Sequence, residues 1–237
     1  MALTDDLKAF WELEEASGTR VDAHGSNDLT DNATVGQGSG IVGNCADFES
    51  GNSEFLDSNS TADLQVANQM TLQAWIKLES KSADQHFVGK WASPTPEYIL
   101  YYAAAGDRFK FTVYTGGFPT ATADNLGAPN TGQWYCVHAW VDVTGTAVGI
   151  AVDAGTADTS ALASPPAADT GDFSIGASDG ASFADALIDQ VGKWDRVLTS
   201  GERTSLHNSG AGLSYAAMSG GGGGGKTVGS LPLLGIG

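Results

Sequence analysis

The run LIDQVGKW places Asp189 two residues from Val191, and a side-chain period of two sets both on one face of a strand. A carboxylate at the edge of an apolar face is costly unless it is paired or metal-bound, so Asp189 needs a partner. Nucleophilic chemistry is poorly supported. His24, His86, His138 and His207 are scattered, and none stands in a motif with Ser or Cys. Cys136 and His138 can face one way on a strand, but a reactive thiol needs a loop or helix end to lower its pKa, so they read as a packed pair. A third group is aromatic. Between Trp91 and Phe118 the chain carries Trp91, Tyr98, Tyr101, Tyr102, Tyr114 and Phe118 around the Gly- and Pro-rich loops WASPTPEY and YTGGFPT. Flat rings that stack on sugar C–H groups, with nearby polar side chains for hydroxyls, would make a carbohydrate site. Trp91, Tyr98 and Tyr114 are the best placed for it, while Tyr101 and Tyr102 must point to opposite faces.

The elements that would position these groups are strands. Segments such as MTLQAWIKLE, EYILYYAAA, DRFKFTVYT, QWYCVHAWVDV and ALIDQVGKW are short, mostly alternating and bounded by Gly, Asp, Asn or Pro, the pattern of an antiparallel sandwich. Leu72, Ala74 and Ile76 fall on one face of their strand, leaving Trp75 on a second, half-covered face; Phe109, Phe111 and Val113 form a core-like face of another. One helix start is clear at TSGER, where Thr199 and Glu202 have capping-box spacing and predict about two turns. Eleven Lys and Arg against 28 Asp and Glu leave 237 residues with a formal charge of −17. That balance repels nucleic-acid phosphates and anionic membranes. Cys45 and Cys136 match no metal or redox spacing; free thiols are preferred to one long-loop disulfide. The start MALTDDLKAFWELEE has no apolar leader, and no run is long enough to span a bilayer, so the expected place of synthesis is the cytoplasm, with no secretion signal. The chain divides into a folded unit, residues 1–218, and a glycine-rich arm, residues 219–237, whose apolar tip carries Leu231, Leu233 and Leu234. The arm reads either as a disordered tail or as an assembly segment that docks on another subunit.

In order along the chain, FWELEEASGTRVDAHGSNDLT, GNCADFES, MTLQAWIKLES, FVGKW, TGQWYCVHAWVD, FSIGASDG and ALIDQVGKWDRVLTSGE resemble the laminin G-like, concanavalin A-like lectin/glucanase jelly rolls across about residues 7–210. The resemblance implies an all-β fold, a two-sheet antiparallel jelly-roll sandwich with one short C-terminal helix. In many such domains the acid of the closing I-D-x-V strand helps to bind a structural calcium near the N-terminal segment. Here that acid is Asp189, and the loop DAHGSNDLTDN offers Asp22, Asn27, Asp28 and Asp31, though without EF-hand spacing. The set Asp22, Asp28 and Asp189 is therefore the calcium expectation. The alternative is that Asp22 and Asp28 make Asx turns and Asp189 accepts backbone hydrogen bonds. Some relatives are retaining glycosidases, which need paired carboxylates on one strand. No Glu-x-Asp-x-x-Glu run occurs here, and Glu12 and Glu14 read as the solvated turn of the first strand, so a non-enzyme is expected.

Two functions remain open. One is a structural protein of a virion, a capsid decoration or tail fibre that displays the jelly roll, assembles through its arm in a host cytoplasm and has weak affinity for cell-surface glycans. The other is a free carbohydrate-binding lectin module.

Overall fold

A computed structural model of the chain describes residues 1–92, 96–168, 170–178 and 180–220. Two antiparallel sheets face each other. The larger contains β1 (Leu7–Trp11), β3 (Gly36–Ser39), β4 (Asn44–Phe48), β6 (Gln69–Leu78), β11 (Trp134–Asp142), β12 (Ala147–Val152), β13 (Asp158–Ala161) and β15 (Ala186–Trp194). Its order is β13-β12-β11-β6-β15-β4-β3, with β1 also paired to β15. The smaller contains β2 (Thr30–Asn32), β5 (Phe55–Ser58), β7 (Gln85–Lys90), β8 (Tyr98–Ala103), β9 (Arg108–Val113), β10 (Thr120–Thr122) and β14 (Phe173–Ile175), in the order β10-β9-β8-β7-β14-β5-β2. Neighbours far apart in sequence, such as β15 between β4 and β6, make this the jelly-roll sandwich that the strand pattern and the resemblance predict.

Alternation builds the core between the sheets. Leu72, Ala74 and Ile76 of β6, Tyr98, Leu100 and Tyr102 of β8, and Phe109, Phe111 and Val113 of β9 join one continuous apolar cluster. Burial of such side chains contributes roughly 25 cal/mol per Å² of apolar surface, the main term favouring the fold.

On β15 the alternation breaks. Ile188 and Val191 both enter the core, three residues apart, because a bulge between Asp189 and Gly192 sets Gln190 at φ 48°. An extra residue in one strand reverses which side chains point inward beyond it. Asp189 therefore lies on the opposite face from Val191, contrary to the period-two reading; it pairs with Trp75 on the outer face of the larger sheet.

That outer face is covered. The helix α1 (Ser200–His207) begins with the predicted capping box, Thr199 Oγ1 accepting from the Glu202 amide while the Glu202 carboxylate accepts from the Thr199 amide. It lays His207 over Trp75 at 5.5 Å and 16° between planes, and Arg203 over the Trp140 ring at 4.6 Å. Trp75 is only 2% exposed, so it is covered and not half-wet as its sequence position suggested. A second cluster of Leu7, Phe10, Trp194, Leu198, Leu206 and Met218 seals the rest, the last from a further short helix, α2 (Tyr215–Gly220). Leu231, Leu233 and Leu234 lie outside the described residues.

Candidate functional site

With the larger sheet covered on both sides, the open surface is the outer face of the smaller one. The same alternation that sends Tyr98, Leu100 and Tyr102 inward turns Ile99 and Tyr101 of β8 outward, and Thr112 of β9 joins them from between two core residues. His86 of β7 and Thr120 of β10 complete the floor, and Trp91, just past β7, and Phe118, from the turn between β9 and β10, form a wall. Together they line a hollow of about 270 Å³. The rings form two groups: Trp91 to Phe118 at 6.0 Å with Tyr114 to Phe118 at 5.4 Å, and His86 edge-on to Tyr101 at 5.8 Å. Phe118 is 62% exposed, an unusual placement for a large apolar ring unless it meets a ligand or partner. Thr112 and Thr120 share a 2.8 Å hydroxyl hydrogen bond on the floor.

Beside it lies a second hollow of about 170 Å³, lined by Phe55, Asp57, Ala92, Asp172, Ser174 and Ser178 among others. Two links join them. Trp91 lines the first and Ala92 the second, and His86 Nδ1 hydrogen-bonds Ser178 Oγ across the divide. Burial pushes His86 down to about 4, so its imidazole is neutral at physiological pH and adds no cation to the groove.

Of the expected aromatic residues, Trp91 and Tyr114 belong to the Phe118 group and Tyr98 does not. Tyr98 is fully buried in the core and its hydroxyl donates to the Leu64 carbonyl. It precedes an outward residue, so one step of register decides its face. Tyr101, set aside in favour of its neighbours, and Phe118 are the lining residues that the sequence undervalued; the alternation of YILYYA around Tyr98 held the signal for Tyr101.

Of the carboxylates expected to share a metal, Asp22 and Asp28 sit in one hydrogen-bonded loop network and Asp189 in another. Asp22 accepts the amides of Phe10 at 2.9 Å, His24 at 3.0 Å and Asn27 at 3.0 Å, besides the Asn27 side-chain amide. Asp28 Oδ1 accepts the Asp22 amide at 2.8 Å. Asp189 Oδ2 accepts the amides of Ile41 at 2.7 Å and Val42 at 3.1 Å, while its Oδ1 is buried without a partner. The partner that the sequence required is thus the hairpin turn between β3 and β4, which no local pattern reveals. Among the described residues, the one group of three acids with ligand atoms within 4.8 Å of one another is Asp47, Glu49 and Glu79. Burial and the mutual repulsion of these acids, with Glu54 and Asp185 nearby, raise all three carboxyls, so this is where a divalent cation would find donors.

Cys45 and Cys136 are free and buried. Cys136 Sγ lies 3.9 Å from His138 Nδ1, both sealed beneath α1. Burial raises the Cys136 thiol well above its usual range and lowers His138 to about 3, the reverse of an activated pair.

A family model described as the concanavalin A-like lectin/glucanases superfamily matches residues 50–202. No curated protein matches. Among solved structures, the chain is similar to domain 4 of AbnA, an extracellular arabinanase from Geobacillus stearothermophilus in complex with arabinotriose, at TM-score 0.65 and 18% identity over 84% of this chain and 97% of that one. It is also similar to the binding domain of botulinum neurotoxin serotype D, at TM-score 0.69 and 10% identity, covering 86% of this chain and 52% of that one. Trypanosoma rangeli sialidase aligns at TM-score 0.59 and 14% identity, over 89% of this chain and 34% of that protein.

Proposed function

This chain belongs to the concanavalin A-like lectin/glucanase superfamily, and on that premise we propose that it is a non-catalytic carbohydrate-binding domain whose site is the groove on the outer face of the smaller sheet. The observation that carries the reading is the aromatic wall of exposed Phe118 and half-buried Trp91, with Tyr114 packed behind Phe118, beside a floor bearing Tyr101, Thr112 and Thr120. Rings provide flat apolar surface for the faces of sugar rings, and hydroxyl groups provide the hydrogen bonds that fix orientation. The domain of AbnA that shares this fold was solved with arabinotriose, which supports a sugar as the ligand class. Catalysis is not part of the proposal: the Cys136–His138 pair is sealed, and among the described residues no carboxylate lines the hollow beside the aromatic wall itself. Calorimetry with neutral oligosaccharides tests it: Trp91→Ala and Phe118→Ala should each weaken binding at least tenfold with the melting temperature little changed. Binding that survives both substitutions in the folded protein would remove the groove as the site.

A second reading concerns where the domain works. In the sequence, six glycines from Gly220 to Gly225 precede an apolar tip, the composition of a linker with an apolar end. We propose that residues 219–237 attach the domain to a larger assembly, a virion capsid or tail being the kind of particle envisaged, with Leu231, Leu233 and Leu234 as the docking side chains. Many copies on one particle would raise a weak glycan affinity by ~10²–10⁴.

A further inference from the structure

We infer that the two hollows are subsites of one groove, and that its ligand is an uncharged linear oligosaccharide of at least two units, not a single terminal sugar. The inference rests on the carbohydrate reading above and extends it. Volume gives the first argument: at about 270 and 170 Å³, each hollow is smaller than the roughly 300 Å³ at which ligand pockets usually begin, and only joined do they reach that range. Continuity gives the second. The consecutive residues Trp91 and Ala92 line one hollow each, and the His86–Ser178 hydrogen bond crosses between them.

The two ends differ in chemistry. One is mainly aromatic, with Trp91, Tyr101 and Phe118; the other sets the carboxylate acceptors Asp57 and Asp172 beside Phe55. A sugar chain carries both kinds of surface on successive units, an apolar ring face for the first end and hydroxyl donors for the second. Carboxylates accept hydroxyl hydrogen bonds strongly and repel other anions. Among the described residues no lysine or arginine lines either hollow, and His86 is neutral, so uronic, sialic and sulfated sugars have no counter-charge in the groove.

The test is calorimetry of the full chain with cello-, xylo- and arabino-oligosaccharides of one to five units and with oligogalacturonate. Affinity should climb at least tenfold from one unit to three in one of the neutral series and then level off, with oligogalacturonate at least tenfold weaker at equal length. Asp57→Asn and the exposed Asp172→Asn should flatten that climb and leave the weak binding of one unit intact. Trp91→Ala should instead weaken binding at least tenfold at every length. A neutral series that binds with no length dependence, unaffected by Asp57→Asn and Asp172→Asn, overturns the two-subsite inference while sparing the carbohydrate reading. Oligogalacturonate binding as tightly as neutral chains overturns the exclusion of charge. No binding in any series overturns the carbohydrate reading itself and the inference with it.

Discussion

Asp189 lies fully buried at the bulge of β15, with two amides on one oxygen and no partner on the other. Burial, only partly offset by those amides, pushes its carboxyl up from 3.8 to about 7. A raised carboxyl favours the folded state fully below pH 3.8, and that advantage is lost as pH rises through about 7. Asp189→Asn keeps an acceptor for Ile41 and Val42 and removes the charge, so urea denaturation should find it more stable than the parent at pH 8.5, on the order of 2 kcal/mol, with the gain shrinking as pH falls below 7 and gone only below pH 3.8. The outcome also bears on calcium. A bound cation at Asp189 would hold the carboxylate ionised, and the Asn variant would then be the less stable one at pH 8.5 in calcium. His86 and His138 act in the opposite direction. Burial lowers them to about 4 and about 3 from 6.5, so the stability they contribute is present above pH 6.5 and lost as pH falls through those values. Thermal melts from pH 7 to pH 3.5 should show a steady fall that is shallower in His138→Gln.

Individual elements show what kind of information a sequence holds. The alternation of β6 and β9 and the capping box of α1 are local, and both were legible, since period and cap chemistry depend on residues a few positions apart. The bulge of β15 was not. It depends on β6 and β4 pairing from either side, and it moved Asp189 to the face opposite the one its spacing indicated. Cover on the outer face of the larger sheet was equally hidden, because α1 meets Trp75 and Trp140 only after the whole sheet has formed. Half of the candidate site could be read for the same reason: Trp91 and Tyr114 declared themselves by loop composition, while Tyr98 was misplaced by one step of alternation. At this scale the cap can be tested directly. Thr199→Ala removes the side-chain acceptor for the Glu202 amide and should cost about 1 kcal/mol in chemical denaturation, the usual worth of an N-cap. No change would mean that burial of Leu206 alone holds α1 in place.

For the whole molecule, charge and cation binding are linked. A formal charge of −17 over 237 residues favours capture of divalent ions wherever acids converge, and Asp47, Glu49 and Glu79 are where they do among the described residues. If calcium binds, mass action raises stability by about 2.7 kcal/mol at a hundredfold excess over the dissociation constant. Melting curves with calcium and with chelator should then differ, and Glu79→Gln should remove the difference if the ion sits at this cluster. Identical curves would remove the metal altogether. Deleting residues 219–237 should leave the melting temperature of the domain unchanged and abolish its incorporation into a particle; normal incorporation would refute the assembly role. Finally, α1 and α2 give the sandwich a front and a back. Gly220, the last described residue, ends α2 on the side carrying Met218 and Trp194, while the aromatic wall opens on the other. A domain held by its C-terminal end would thus stand with its back to whatever anchors it, and a long sugar chain could approach the groove without meeting the support.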